Sequence, residues 1–493
     1  MEKFDLVVIG AGPSGYAAAM RALDFKKKVL LIEKNKVGGA GVTNGALSSK
    51  TWWELSREAA SFRKNLKRFN LKAPSINYGE IQEEVQRAVG ERKSMLHEHM
   101  EVLRNMNGRT LLSFKKGTAK LISQHEVEIV NGHHKEVVEA DYIILATGSR
   151  PRYLPELPID EKIVLTSEGI EKLSDFPESM VIVGAGVIGC EYATIFSGFG
   201  KTKVHLIDKG DRILPFEDED VVNVIERNME NNGVLIHRNS RLVRMEIKHG
   251  RVEYELEYTD SSKEVFNVEK ALVSVGRVPN LEDLWDDNVG INISKRGIED
   301  NDTQTNVSNI FAVGDITADI SLVNVGELEG RYAVERIFGN PKRKLVYENI
   351  STIMFLSPEV AGVGLNEIHA REKGIDYKVV TLDYSCIPRA IAKRNTQGFI
   401  KLMVTNDENM RILGMKVVGN HASSAIQAVA LLISMDKGIE ELAECVHPHP
   451  SITEGIQECV RMLLGNSTFK PHALKGRLSC RTSIKGEYAD IDF

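Results

Sequence analysis

Cysteine is scarce in this chain of 493 residues, and what there is does not pair. The five thiols, Cys190, Cys386, Cys445, Cys459 and Cys480, are odd in number and widely spaced, with no Cys-x-x-Cys among them. That excludes a disulfide framework or a cysteine zinc site and points to a reducing compartment with mostly buried thiols. An excess of one charge is also missing. The net charge of -6 argues against a nucleic-acid partner and against an anionic membrane surface. No apolar run approaches the ~20 residues that cross a bilayer. The first apolar run, Phe4 to Ile9, leads into a glycine turn rather than a signal-peptide cleavage site. A cytoplasmic location is the expectation. With 42% hydrophobic and 27% charged residues, the composition is that of a globular protein, and the length implies two to four domains.

Glycine is plentiful where it matters. Residues 4 to 9 read as a buried parallel strand, followed by Gly10-Ala11-Gly12-Pro13-Ser14-Gly15, a helical segment from Tyr16 to Leu23, and a second strand, Val29 to Ile32, ending at Glu33. This is a dinucleotide fingerprint in its proper setting. Gly10 makes the turn, Gly12 lets a pyrophosphate approach the backbone, Gly15 lets helix and strand pack, and Glu33 takes ribose hydroxyls. The unit recurs: strand Met180 to Val183, then Gly184-Ala185-Gly186-Val187-Ile188-Gly189, a helix from about Cys190 to Phe199, and strand Lys203 to Ile207 ending at Asp208. Two units imply two dinucleotides, with FAD on the first and a nicotinamide cofactor on the second as the usual pairing.

Between them, residues 76 to 106 read as helical, and Thr110 to Tyr142 as short runs suited to an antiparallel sheet. Strand-to-turn segments end at Thr147-Gly148-Ser149, at Gly276-Arg277 and at Gly314-Asp315. Beyond residue 348 the pattern changes to strands and amphipathic helices of a separate C-terminal domain. The last stretch, Leu474 to Phe493, is polar without clear periodicity and reads as a tail, either disordered or laid over a neighbour.

The order of these elements resembles the FAD-dependent pyridine nucleotide-disulfide oxidoreductases, a family that includes dihydrolipoamide dehydrogenase, glutathione reductase, mercuric reductase and soluble pyridine nucleotide transhydrogenase. The likeness runs collinearly over residues 4 to 466. Beyond the two fingerprints it rests on Ala146-Thr147-Gly148-Ser149, Gly276-Arg277-Val278-Pro279-Asn280, Ala312-Val313-Gly314-Asp315, Ser357 to Gly364 and His447-Pro448-His449-Pro450-Ser451-Ile452-Thr453-Glu454. The resemblance implies an α/β fold with two Rossmann-like dinucleotide-binding domains, for FAD and NAD(P), plus an α+β C-terminal dimerisation domain. The boundaries it suggests are 1–152 with 276–348 for FAD, 153–275 for NAD(P), 349–473 for dimerisation and 474–493 for the tail. It implies a homodimer. It implies that Gly10, Gly12, Gly15, Glu33, Gly41, Lys50, Thr147, Gly148, Gly276, Arg277, Gly314 and Asp315 serve FAD, and that Gly184, Gly186, Gly189 and Asp208 serve NAD(P). Lys50 and Glu191 match the family's ion pair beside the flavin, where a cation stabilises the electron-rich reduced ring. A carboxylate at Asp208 favours NAD, with Lys209 softening the repulsion of a 2'-phosphate.

One stretch breaks the pattern. Where the family carries Gly-Gly-x-Cys-x4-Cys-x-x-Ser-Lys, this chain runs from Gly38-Gly39 to Ser49-Lys50 with Gly41 and Ala46 at the cysteine positions. Neither side chain can form a thiolate or a mixed disulfide, so thiol-disulfide exchange by the family route is expected to be absent. His449 and Glu454, the family's acid-base pair for the thiol substrate, are kept, either as a structural holdover or reassigned to another substrate. Trp52 and Trp53 read as core or interface aromatics, Cys445 and Cys459 as buried apolar residues, and Cys480 as an inert thiol. The expected activity is hydride transfer from a nicotinamide through flavin to an unidentified small-molecule acceptor that is not a disulfide. The design is most like soluble transhydrogenases, with a quinone, metal or small-molecule reductase and a non-catalytic NADH-sensing flavoprotein as alternatives.

Overall fold

A computed structural model describes residues 1–43, 45–72, 75–106, 109–342 and 344–491. Asn44, within the broken motif, and the last two residues of the tail lie outside the described residues. The chain divides into two compact units. The first comprises residues 1–177, 246–252 and 269–345, the second 178–245, 253–268 and 346–493.

The first unit is built on a mostly parallel sheet. Strand β1 (Glu2–Ile9) enters helix α1 (Pro13–Asp24), which returns to β2 (Val29–Glu33). A short helix α2 (Gly39–Val42) and two long ones, α3 (Ala46–Phe69) and α4 (Tyr78–Arg104), precede β3 (Leu112–Lys116), β4 (Thr118–Leu121), β5 (Glu126–Asn131) and β6 (His134–Leu145). The sheet order is β3-β2-β1-β6-β5-β4, and strand Ile310–Ala312 pairs in parallel with β6. Ile9 stands level with Ile32 on one side and Leu145 on the other, so the carboxyl ends of three strands meet where the first glycine turn begins. Both faces of β1 are covered. Leu6 and Val8 pack under Ala18 and Ala22 of α1, while Val7 and Ile9 join Leu30 and Ile143 on the opposite face. Burial on both faces explains the unbroken apolar run that marked this strand. The run Leu112 to Lys116, expected in an antiparallel sheet, instead extends the parallel sheet beside β2. A two-stranded ladder joins β7 (Ser149–Pro151) to Arg277–Pro279. Helix Val323–Phe338 crosses α1 so closely that a Cβ on Gly330 would fall 2.1 Å from the Ser14 carbonyl oxygen.

The second unit repeats the device. Strands β8 (Ser179–Val183), β9 (Lys203–Ile207) and β10 (Leu235–His237) are parallel, with α5 (Val187–Phe199) after the second glycine turn and α6 (Glu219–Asn231) after β9. The same unit holds an antiparallel sheet containing β11 (Val360–Gly364), β12 (Tyr377–Asp383), β13 (Phe399–Thr405), β14 (Ile412–Val418), β15 (Leu478–Ile484) and β16 (Glu487–Asp490). Its order is β11-β14-β13-β12-β15-β16, with Thr352–Met354 beyond β11. Helix α7 (Glu454–Leu463) packs on it through Ile456, Cys459 and Val460.

Two expectations change here. The stretch read as a tail is mostly ordered: β15 pairs with β12 from Tyr377–Ser483 to Leu382–Leu478, and β16 closes a hairpin on β15. The alternation was hidden because the buried positions change face along β15, with Leu478 and Cys480 on one side and Ser483, opposite Tyr377, on the other. Cys445 is exposed rather than buried, whereas Cys459 is fully buried and burial pushes the Cys480 thiol up to about 12. Trp52 and Trp53 are buried as core aromatics.

Candidate functional site

In the first unit the glycine turn is shaped by three different constraints. Gly10 has φ +106, and a Cβ there would lie 2.3 Å from the Ala146 carbonyl oxygen, so only glycine lets β1 end against β6. A Cβ on Gly15 would lie 1.9 Å from the Gly10 oxygen. Gly12 has no atom within 4 Å of such a position. It is also the N-cap of α1, with no side-chain cap and no acid in the first turn. The free amide groups of α1 therefore face open space across Gly12, and this cradle fits a pyrophosphate. Glu33 fixes the turn: its Oε2 accepts from the Ala11 amide at 2.8 Å and its Oε1 from Asn35 at 2.7 Å. Each oxygen keeps acceptor capacity for a ribose hydroxyl.

Gly38, Gly39 and Gly41 of the broken motif pack onto this turn. The Gly38 amide donates to the Ala11 oxygen at 2.8 Å, and a Cβ on Gly39 would lie 3.1 Å from Gly12 Cα. At Gly41 a Cβ would lie 2.4 Å from Pro13 Cγ. Between Gly41 and Ala46, the Thr43 hydroxyl is buried without a hydrogen-bond partner among the described residues. Lys50, half-buried in the first turns of α3, donates to Ser49 Oγ at 3.3 Å.

A second cluster closes on the same elements. The Thr147 hydroxyl donates to the Asn280 oxygen, and the Asn280 amide donates back to the Thr147 oxygen, both at 2.8 Å. Ser149 Oγ accepts from Arg277 Nε at 2.7 Å and donates to Asp315 Oδ2 at 2.6 Å. Asp315 is thereby aimed by a relay from Arg277. Gly148 and Gly276, with φ +68 and +106, have nothing within 4 Å of an added Cβ. Gly314 is packed against Ser14, and its amide donates to Glu329 Oε2 at 2.6 Å. Glu329, almost fully buried, was not singled out in the sequence, since an acid inside a helix carries no motif. Ser149 and Asn280 were visible in their motifs but not as hydrogen-bonding partners.

The second unit mirrors the first. Asp208 Oδ2 accepts from the Ala185 amide at 2.7 Å and Oδ1 from Gly210 at 2.9 Å, as Glu33 does in the first turn. Gly184 has φ +102. Gly186 is the uncapped N-cap of α5, with open space around it and no acid in the first turn. Gly189 is buried in α5, and two residues on stands Glu191, 6% exposed, whose Oε1 accepts from the Phe355 amide at 3.0 Å. Both turns therefore fit a dinucleotide on the same criteria.

In the C-terminal part of this unit His449 Nδ1 lies 2.7 Å from Glu454 Oε1, and Glu454 Oε2 accepts from the Ser451 amide at 2.7 Å. Burial raises the Glu454 carboxyl, but the Ser451 amide and His449 outweigh it and hold it below its ordinary range. A carboxylate on Nδ1 fixes the imidazole tautomer and leaves Nε2 to give or take a proton. The His449 side chain is 69% exposed. All five cysteines belong to the second unit, and the first holds none. Among the described residues no group of His, Cys, Asp and Glu could hold a metal ion, and no helix is long and apolar enough to cross a membrane.

Residues 4–330 match the family described as pyridine nucleotide-disulphide oxidoreductase, and residues 350–460 match its dimerisation domain. A dihydrolipoyl dehydrogenase of Bacillus subtilis is 31% identical over 472 residues, covering 93% of this chain and 98% of the relative. One from Geobacillus stearothermophilus is 31% identical over 465 residues, covering 94% and 96%. Among solved structures, LpdA from Mycobacterium tuberculosis superposes with a TM-score of 0.85 at 24% identity, covering 94% of this chain and all of that one. The HOCl-induced flavoprotein disulfide reductase RclA from Escherichia coli superposes at 0.82, also at 24% identity, covering 93% and all of that chain. The family uses FAD and NAD(P)H. The chain belongs to the FAD-dependent pyridine nucleotide-disulphide oxidoreductases, and its two uncapped, carboxylate-braced glycine turns are the features that suit it to both dinucleotides.

Proposed function

We propose that this chain is an NAD(P)H oxidoreductase working without a redox-active thiol pair, most like a soluble transhydrogenase: NADH and NADP+ in, NAD+ and NADPH out. The observation that carries the reading is Gly41. It stands where the family has its first cysteine, and a Cβ there would sit 2.4 Å from Pro13 Cγ. Ala46 offers only a methyl group at the second cysteine position, and no cysteine of the first unit could substitute. Bound FAD would supply the hydride-accepting chemistry. Gly12 and the amides of α1 would hold its pyrophosphate, Glu33 a ribose, and Asp315, aimed by Ser149 and Arg277, a further hydroxyl. Lys50 would place a cation near the reacting ring. In the second unit, the amides behind Gly186 and the Asp208 carboxylate would bind NAD(P). The domain boundaries 1–152 with 276–348, 153–275 and 349–473 assign one such task to each part, and the dimerisation domain supports a homodimer.

Anaerobic reduction with one equivalent of NADH tests this. The flavin absorbance is expected to bleach without a long-wavelength thiolate-flavin band and to return on adding NADP+ or thio-NAD+. Appearance of that band, or turnover of dihydrolipoamide, would sink the proposal. The His449–Glu454 contact supports a second reading, a quinone or small-molecule reductase with His449 as proton donor. In that case quinone restores the flavin absorbance, NADP+ does not, and His449→Ala slows quinone turnover.

A further inference from the structure

A trough of about 890 Å³ runs along α1 from Tyr16, just after the glycine turn, toward Lys26 beyond its end. Its middle is apolar: Ala17, Met20 and Leu23 come from α1 at helical spacing, with Leu103 of α4 and Leu111 beside them. Both ends carry charge, and Lys26 and Asp24 line the Leu23 end together with Arg21. At the far end Arg21 is already neutralised, 2.7 Å from Asp24 and 2.9 Å from Glu335. At the near end the Tyr16 hydroxyl lies 2.6 Å from His99 Nδ1. Arg331 lines the same trough, and its neighbour Gly330 is packed onto the Ser14–Ala18 turn of α1, which delivers Arg331 to the Tyr16 end. Arg92 adds its field there, pulling against the burial that raises the Tyr16 hydroxyl. Arg331 has no ion-pair or hydrogen-bond partner among the described residues, and His99 Nε2 has none either. The near end thus presents a cation and a ring nitrogen without a counter-ion, the middle presents hydrocarbon, and the far end presents Arg21, Asp24 and Lys26.

We propose that this trough is a binding site for a single-chain anionic amphiphile of the fatty-acid type. The carboxylate meets Arg331 and the Tyr16–His99 pair, and the chain lies over Met20 toward Leu23. The volume is that of a small-ligand site, ~300–1,000 Å³, and the apolar length from Tyr16 to Leu23 is about 10 Å at the helical rise. A compact polar metabolite would leave the apolar middle wet. A cationic amphiphile would face Arg331.

Calorimetric titration of the flavin-loaded full chain with decanoate, and separately with decyltrimethylammonium, tests the proposal. Decanoate is expected to bind saturably, one per chain, at least tenfold tighter than the cation. Arg331→Glu, an exposed change that leaves the fold intact, should weaken decanoate at least tenfold. Met20→Arg, which fills the trough, should abolish binding while flavin content and melting temperature report that the fold survives. Equal affinity for the two amphiphiles, an unchanged affinity in Arg331→Glu, or no saturable binding below micelle formation would overturn it.

Discussion

Gly41 lacks room for the Cβ that every chemically active side chain must carry. With Pro13 Cγ 2.4 Å from the Cβ position, Gly41→Cys must displace the Pro13 ring or α2 at the first glycine turn. The cost of such overpacking is typically about 1–3 kcal/mol. Gly41→Cys is therefore expected to lower the melting temperature, and the double variant with Ala46→Cys to show no dihydrolipoamide turnover. Recovery of that activity at wild-type stability would refute the steric account. Gly12 and Gly15 separate in the same way. Gly12→Ala has open space and φ -70, so the chain should fold with a normal melting temperature but retain less FAD. Gly15→Ala, whose Cβ would lie 1.9 Å from the Gly10 oxygen, should fail to fold with or without FAD. Flavin content after gel filtration, read beside circular dichroism, distinguishes the two. These glycines were legible because each satisfies a constraint that spacing alone announces. Glu329, which takes the Gly314 amide, was not, because its role exists only once helix Val323–Phe338 lies against that turn.

At the scale of elements, the least legible part is the C-terminal hairpin. Leu478 and Cys480 point into the core, but Arg481 is held by charge: its Nη2 lies 2.8 Å from Glu367 Oε1. Glu367 also accepts from Tyr377 and Tyr488, at 3.1 and 3.0 Å. The network continues to Lys401 on β13, 1% exposed, whose Nζ lies 2.7–2.9 Å from Asp218, Asp220 and Glu367. Burial alone would lower the Lys401 amine and raise the Asp218 and Glu367 carboxyls, but their mutual attraction outweighs it in both directions. A buried cation among acids has no periodic signature, so neither Lys401 nor the Leu478–Ile484 strand that the network reaches through Glu367 stood out. The two fingerprints, by contrast, were legible down to Asp208, since strand, turn, helix and acid each constrain the next. Lys401→Met leaves the buried Asp218 without its cation while Glu367 keeps Arg481, and breaking such a buried pair costs about 3–5 kcal/mol. Urea unfolding should show that loss. Lys401→Arg should recover part of it, and a midpoint unmoved by Lys401→Met would mean the network contributes nothing.

For the molecule as a whole, acid is the discriminating stress, and the second unit sets where stability begins to fall. His205 on β9 and His237 on β10 form a buried pair, with His237 Nε2 3.3 Å from His205 Nδ1. The Tyr254 hydroxyl lies 2.7 Å from His205 Nδ1, and the Tyr258 hydroxyl 3.0 Å from His237 Nδ1. Phe266 packs edge-on against both rings. Burial pushes both imidazoles down to about 4, helped at His205 by the charges of His237 and Lys203. A histidine whose folded pKa lies below its unfolded value, ~6.5, leaves the unfolded chain binding a proton that the native state refuses. Stability is then complete above pH ~6.5 and falls as the pH drops toward 4, by about 3 kcal/mol for one such imidazole. The depressed carboxylates Asp218 and Glu367 act in the next window. Their contribution is complete above the unfolded carboxylate pKa of about 4 and is lost only below it. Asp300 in the first unit, whose carboxyl is raised to about 6 by burial, takes up its proton in the same window and offsets part of this loss, but with two imidazoles against one carboxyl the unfolding free energy should still begin to decline near pH 6.5. In His237→Gln, which keeps a hydrogen-bonding group but cannot titrate, the slope between pH 6.5 and 4 should shrink while the steeper loss below pH 4 persists. A wild-type slope in that variant would show that the buried imidazoles do not govern the onset.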